Sequence, residues 1–117
     1  IACAAALASL AEIEQQGMIA QVQSLSPIFE DKVHQLRDVC ANISDIRNYG
    51  LAAGLTIAPI NGEPAKRPYQ IAMAMWDKGY YVRYGADTIQ LAPPFTSEAS
   101  EIDSLINALG ETINEVS

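Results

Sequence analysis

The sequence predicts an α+β fold: a small, mostly antiparallel sheet of three or four strands with helices packed on one face, preceded by a linking helix pair. Three observations predict it. Stretches near both ends carry apolar residues at helical spacing. In the middle, two pairs of short alternating or β-branched runs are each joined by a turn signal, Asn48-Tyr-Gly50 and Gly85-Ala-Asp87. A further helical stretch separates the pairs, so the order reads α-α-β-β-α-β-β-α, a pattern of segregated helices and strands.

From Ile1 to Gln16, the residues Cys3, Leu7, Leu10 and Ile13 form an apolar stripe, and Gly17 is the natural stop. A second helix is expected over 18–38 with Ile19, Val22, Leu25, Phe29, Val33 and Leu36 inward. Pro27 either kinks it or begins a new segment. Ile43 and Ile46 alternate with polar neighbours, and the apolar run Leu51–Pro59 follows; together they read as a hairpin with a central, largely buried second strand. Asn61-Gly62 opens a loop, and Pro68 suits the first turn of a third helix whose apolar face is Tyr69, Ala72, Met73 and Trp76. The runs 80–85 and 87–93 are two more short strands. Thr96 is expected to cap the last helix, helped by Glu98 and Glu101, and Ile102, Leu105, Ile106, Leu109, Ile113 and Val116 give it a clean stripe. Residues 1–38 are thus read as the linking helix and the first helix, and 39–117 as the α+β unit proper, within one structural domain.

At 117 residues the chain is long enough to bury about two thirds of its unfolded surface. Half of it is apolar and 18% is charged, the balance of a globular chain. The net charge is −7, all seven Lys and Arg lie between Lys32 and Arg83, and residues 84–117 hold six acids and no base. A nucleic-acid partner is excluded on that ground, because such binding needs a basic face. Two cysteines, Cys3 and Cys40, are too few for a disulfide framework; both read as buried small residues of a cytoplasmic protein. With His34 the sole histidine, no metal site is expected. No run reaches membrane-spanning length. The first residues lack an initiator Met and open inside a helix, which reads as a cut end of a longer protein.

Much chemistry is missing. There is no Gly-rich phosphate loop after a strand and no nucleophile paired with the histidine. His34 is expected to face solvent, the acid pairs to be solvated, and Trp76, Met73 and Met75 to be core. Arg83 is the exception, a guanidinium set among Tyr80, Tyr81, Tyr84 and Ile89 in what reads as a buried strand. A buried charge needs an anion. Two readings stand: a structural one, a salt bridge to Asp87 or an edge-strand position in water, and a clamp for a substrate carboxylate, which suits the planar fork of arginine.

Three segments, "DIRNYGLAAGLTIAP", "RPYQIAMAMWDKGYYVRYGADTIQLAPPF" and "EIDSLINALGETI", closely resemble the C-terminal small domain of class III aminotransferases, nearest to the omega-amino acid:pyruvate (β-alanine:pyruvate) branch. The opening "IACAAALASLAEIE" is similar to the linking helix of those enzymes, so the resemblance covers essentially the whole chain. It implies a fold type I transaminase that uses pyridoxal 5′-phosphate and works as a homo-oligomer. It implies an amino donor and a 2-oxo acid as substrates, and the enzyme's large domain and a partner subunit as the chain's neighbours. It places the substrate-carboxylate arginine on Arg83, with Tyr81 and Tyr84 as pocket neighbours. It gives Arg67-Pro68 a part in helix starting and domain contact, and no chemistry. None of Lys32, Lys66 and Lys78 matches the family's cofactor lysine. The expectation is therefore an enzyme as the parent, with this piece alone inactive; a stand-alone α+β binding or oligomerisation module is the alternative.

Overall fold

The computed structural model describes residues 1–116. Its elements are α1 (Ala2–Gln15), α2 (Met18–Val39), β1 (Ile43–Tyr49), β2 (Ala52–Ile57), α3 (Lys66–Asp77), β3 (Arg83–Gly85), β4 (Thr88–Leu91) and α4 (Ala99–Glu115). The expected element order and fold class are those found. The strands form one antiparallel sheet in the order β1-β2-β4-β3, so each hairpin contributes one central and one edge strand.

Alternation along each strand divides the sheet into two faces. One cross-strand row is Ile46, Leu55, Ile89 and Tyr84, of which the first three are buried. The next row is Arg47, Gly54, Gln90 and Arg83, none of them buried. The helices close the first face: Phe29 and Val33 of α2, Ile71 and Met75 of α3, and Ile102, Leu109 and Ile113 of α4 are all withdrawn from solvent in one core with Leu55 and Ile89. Burying side chains of this size supplies about 1.5–3 kcal/mol each. Gly110 permits the close approach of α4 to α2: a Cβ there would stand 2.9 Å from Leu36 Cδ2.

Several expectations are corrected. α1 buries no residue, and Leu7 is 70% exposed, so its apolar stripe faces outward. Cys3 is exposed as well, while Cys40 is buried; burial pushes the Cys40 thiol above its ordinary range, and its Sγ–H donates to the Gly110 carbonyl at 3.5 Å. α2 runs unbroken through Pro27, and Ile19 at its start is exposed. In α3 the buried face is Pro68, Ile71, Ala72 and Met75, whereas Tyr69, Met73 and Trp76 lie on the outer surface, Trp76 at 63% exposure. His34 is half-buried and bonds Asn48 Oδ1 at 2.7 Å, tying α2 to β1. The cap of α4 is Glu98, in a reciprocal box with Glu101, and not Thr96. The reason is visible next door: the Ser97 carbonyl accepts a bond from Gln21 Nε2 of α2 at 3.0 Å, which holds that segment back from the helix.

Candidate functional site

β3 is only three residues long and stands at the sheet edge. Its direction is set by the turn Gly85–Asp87, where Ala86 takes φ 51°. A non-glycine residue in that left-handed region costs about 1–2 kcal/mol, which the two flanking strands sustain by pairing in register. That register puts Arg83 opposite Gln90 and Tyr84 opposite Ile89. Arg83 therefore lies on the face away from the helices, exposed. The premise of a buried arginine is wrong: the surrounding aromatics do not enclose it.

No hydrogen bond or ion pair of the Arg83 side chain is found among the described residues, and Asp87 accepts instead from the Thr88 hydroxyl at 2.9 Å. The other arginine in the same row behaves differently. Arg47 is held by Asp45 Oδ2 at 2.5 Å and by the Thr56 hydroxyl at 2.9 Å, and Arg37 approaches the same Asp45 at 3.8 Å. Arg47 passes over Gly54, where a Cβ would stand 3.4 Å from its Nη2, an ordinary van der Waals contact. Likewise Gly85 leaves room for Gln90, whose Nε2 would be 3.3 Å from a Cβ. The outer face thus carries one neutralised guanidinium, one amide and one guanidinium with nothing bound to it.

Tyr84 does not join Arg83 there. Tyr84 points to the helix side, 39% exposed, edge-on to Tyr69 with ring centroids 5.7 Å apart. Tyr81, 77% exposed, packs edge-on to Trp76 at 6.1 Å and lines a cleft of about 570 Å3 with Tyr80, Pro93, Ser97 and Glu101. Gln90 had no signal in the sequence; only the strand register brings it beside Arg83. The three lysines are each in a surface ion pair, Lys32 with Asp103, Lys66 with Glu63 at 3.3 Å and Lys78 with Glu115 at 2.8 Å. No group of three His, Cys, Asp or Glu side chains among the described residues could hold a metal. No helix among them is long and apolar enough to cross a membrane.

Comparison with known proteins identifies the family of the chain. The profile of the family Aminotransferase class-III matches residues 1–113. The chain is 40% identical over 116 residues to the omega-amino acid–pyruvate aminotransferase of Pseudomonas putida, covering 99% of this chain and 26% of that protein. It is 41% identical to the beta-alanine–pyruvate aminotransferase of Pseudomonas aeruginosa, with the same coverage. Among solved structures, the adenosylmethionine-8-amino-7-oxononanoate aminotransferase of Methanocaldococcus jannaschii superposes with a TM-score of 0.86 at 29% identity, over 97% of this chain and 27% of that one. The omega-transferase of Vibrio fluvialis JS17 has the same fold, with a TM-score of 0.89 at 24% identity, over 97% and 28%. The chain spans about a quarter of the length of these relatives. On the family match and these identities, the chain belongs to the class-III aminotransferases.

Proposed function

We propose that this chain is the C-terminal small domain of a cytoplasmic, pyridoxal-phosphate-dependent aminotransferase that moves an amino group from an amine or omega-amino acid to pyruvate. Residues 1–38 serve as the linking helix and first helix, and 39–117 as the substrate-facing unit. The observation that carries the reading is the state of Arg83: exposed on the open sheet face, without a counter-ion, and beside a neutral amide. A planar fork with no internal acid to satisfy it is suited to a carboxylate from outside.

The residues present do not fit the cofactor as its holders. Each lysine is engaged with a surface acid, and none lies on the open face with Arg83. Pyridoxal 5′-phosphate would be held by other parts of the enzyme. What this chain contributes is orientation. Arg83 donates two parallel N–H bonds to the acceptor's carboxylate, which fixes the direction of the adjoining carbonyl. Gln90, opposite it, offers a neutral donor and acceptor without neutralising the guanidinium. The small domain as a body can carry that clamp toward and away from the site, as lids do.

The experiment is Arg83→Lys in the full-length enzyme. Lysine keeps the charge and loses the fork, so kcat/KM for pyruvate should fall by an amount equivalent to about 2–4 kcal/mol. An aldehyde acceptor, with no carboxylate, should lose far less. Equal losses for both acceptors would remove Arg83 from substrate binding.

A further inference from the structure

We propose that Arg67 is the receptor for an oxyanion, a carboxylate or a phosphate, supplied from outside this chain. This does not depend on the role given to Arg83. Arg67 is only 9% exposed, the most deeply buried cation among the described residues. Its Nη1 donates to the Ala58 carbonyl at 2.6 Å, but its Nε is buried with no acceptor at all. None of the ion pairs among the described residues includes it. The acid closest in sequence, Glu63, pairs with Lys66.

Position makes the charge costlier still. Arg67 is the second residue of α3, where the helix presents its positive end; that end has no side-chain cap and no acid in its first turn. A guanidinium cannot escape by losing its proton, as a buried lysine can. Buried charges are stable when paired, so an uncompensated one marks a missing partner. The geometry also selects the partner's chemistry. The Ala58 carbonyl fixes one Nη, which leaves the Nε and the second Nη as two parallel donors on one edge. Two oxygens on one atom, as in a carboxylate or phosphate, match that edge; a chloride ion engages it at a single point.

The oxyanion has two possible sources. One is an Asp or Glu in the three quarters of the relatives' length that this chain does not span. The other is a free anion. Guanidinium Nε–H resonances, recorded on the 117-residue chain carrying Arg83→Gln, test the proposal and separate the sources. Titration with sodium phosphate, against sodium chloride at matched ionic strength, should move one Nε–H saturably, and that signal should be missing from Arg67→Met. At ten times the half-saturating concentration, Tm should rise by about 4–7 °C in phosphate only. If Arg67→Met does not fold, Arg37→Gln and Arg47→Gln assign the signal by elimination. An Arg67 Nε–H that stays still, or that moves equally in chloride, overturns the proposal. In the full-length enzyme, a signal already at its bound position and indifferent to phosphate identifies a protein carboxylate. One that still titrates identifies a free anion, and one that is neither shifted nor titratable overturns the proposal there too.

Discussion

Gly110 shows how one missing methyl group sets the distance between two helices. Inside α4 an alanine would be favoured over glycine by about 1 kcal/mol from backbone propensity alone. The Cβ would, however, stand 2.9 Å from Leu36 Cδ2, and Leu36 is itself buried against the core. Overpacking of a tight contact costs about 1–3 kcal/mol, so it outweighs the propensity gain. Gly110→Ala should therefore lose about 1 kcal/mol in urea denaturation, with the loss reduced when Leu36 is shortened to Val. A stabilised variant would mean that α2 and α4 separate freely. The same scale decides what could be read at Arg83. Its place on a short strand was legible from the sequence, but its exposure and its face were not. The face depends on which residue stands across the ladder, Gln90, and that pairing is not written in the local run of residues.

At the scale of elements, α3 carries apolar residues on two faces, and periodicity alone fits either. Tyr69, Met73 and Trp76 repeat at helical spacing as well as Pro68, Ile71, Ala72 and Met75 do. Only the second set is buried in the core between the sheet and α4. The aromatic set is occupied otherwise, Tyr69 against Tyr84 and Trp76 against Tyr81, as edge-on pairs at the surface. Met75→Ala should accordingly cost about 2–5 kcal/mol. Met73→Ala, two residues away and partly exposed, should change stability by no more than about 0.5–1 kcal/mol. Similar losses for both, measured by thermal unfolding, would show that the outer face is covered in solution. By contrast both hairpins were announced by their turn residues. The single apolar face of α4 was readable at Ile102, Ile106, Leu109 and Ile113, although Leu105 is only partly buried and Val116 lies past the helix as its C-cap. Its N-cap was misplaced because a contact from a distant helix, Gln21 to Ser97, overrides the local preference of Thr96.

For the whole molecule, the unusual feature is α1, a helix that packs chiefly on α2 and has no buried residue. Leu7 and Leu10 on it, with Ile19 at the start of α2, make an apolar surface that a monomer in water would not leave open at low cost. The 117-residue chain should therefore self-associate through residues 1–25 at tens of micromolar. Light scattering on this chain and on a version starting at Gln16 checks it: the first should be a dimer or larger and the second a monomer. A monomeric parent chain would show that α1 folds back onto its own domain. The fold class was legible because each segment's pattern agreed with the whole. The placement of α1 was not, since an apolar stripe says only that something covers it.

The strand order has a kinetic side. β1 with β2 and β3 with β4 are neighbours in sequence, and each pair closes through a turn of a few residues. The ladder between β2 and β4 is the one non-local pairing in the sheet, joining segments separated by α3, β3 and their connections. For a span of some thirty residues the entropy of closure is about 3 kcal/mol. That cost falls on a single event, the side-by-side arrival of two preformed hairpins. The sheet therefore has one non-local seam in its middle, between two hairpins that are each closed locally.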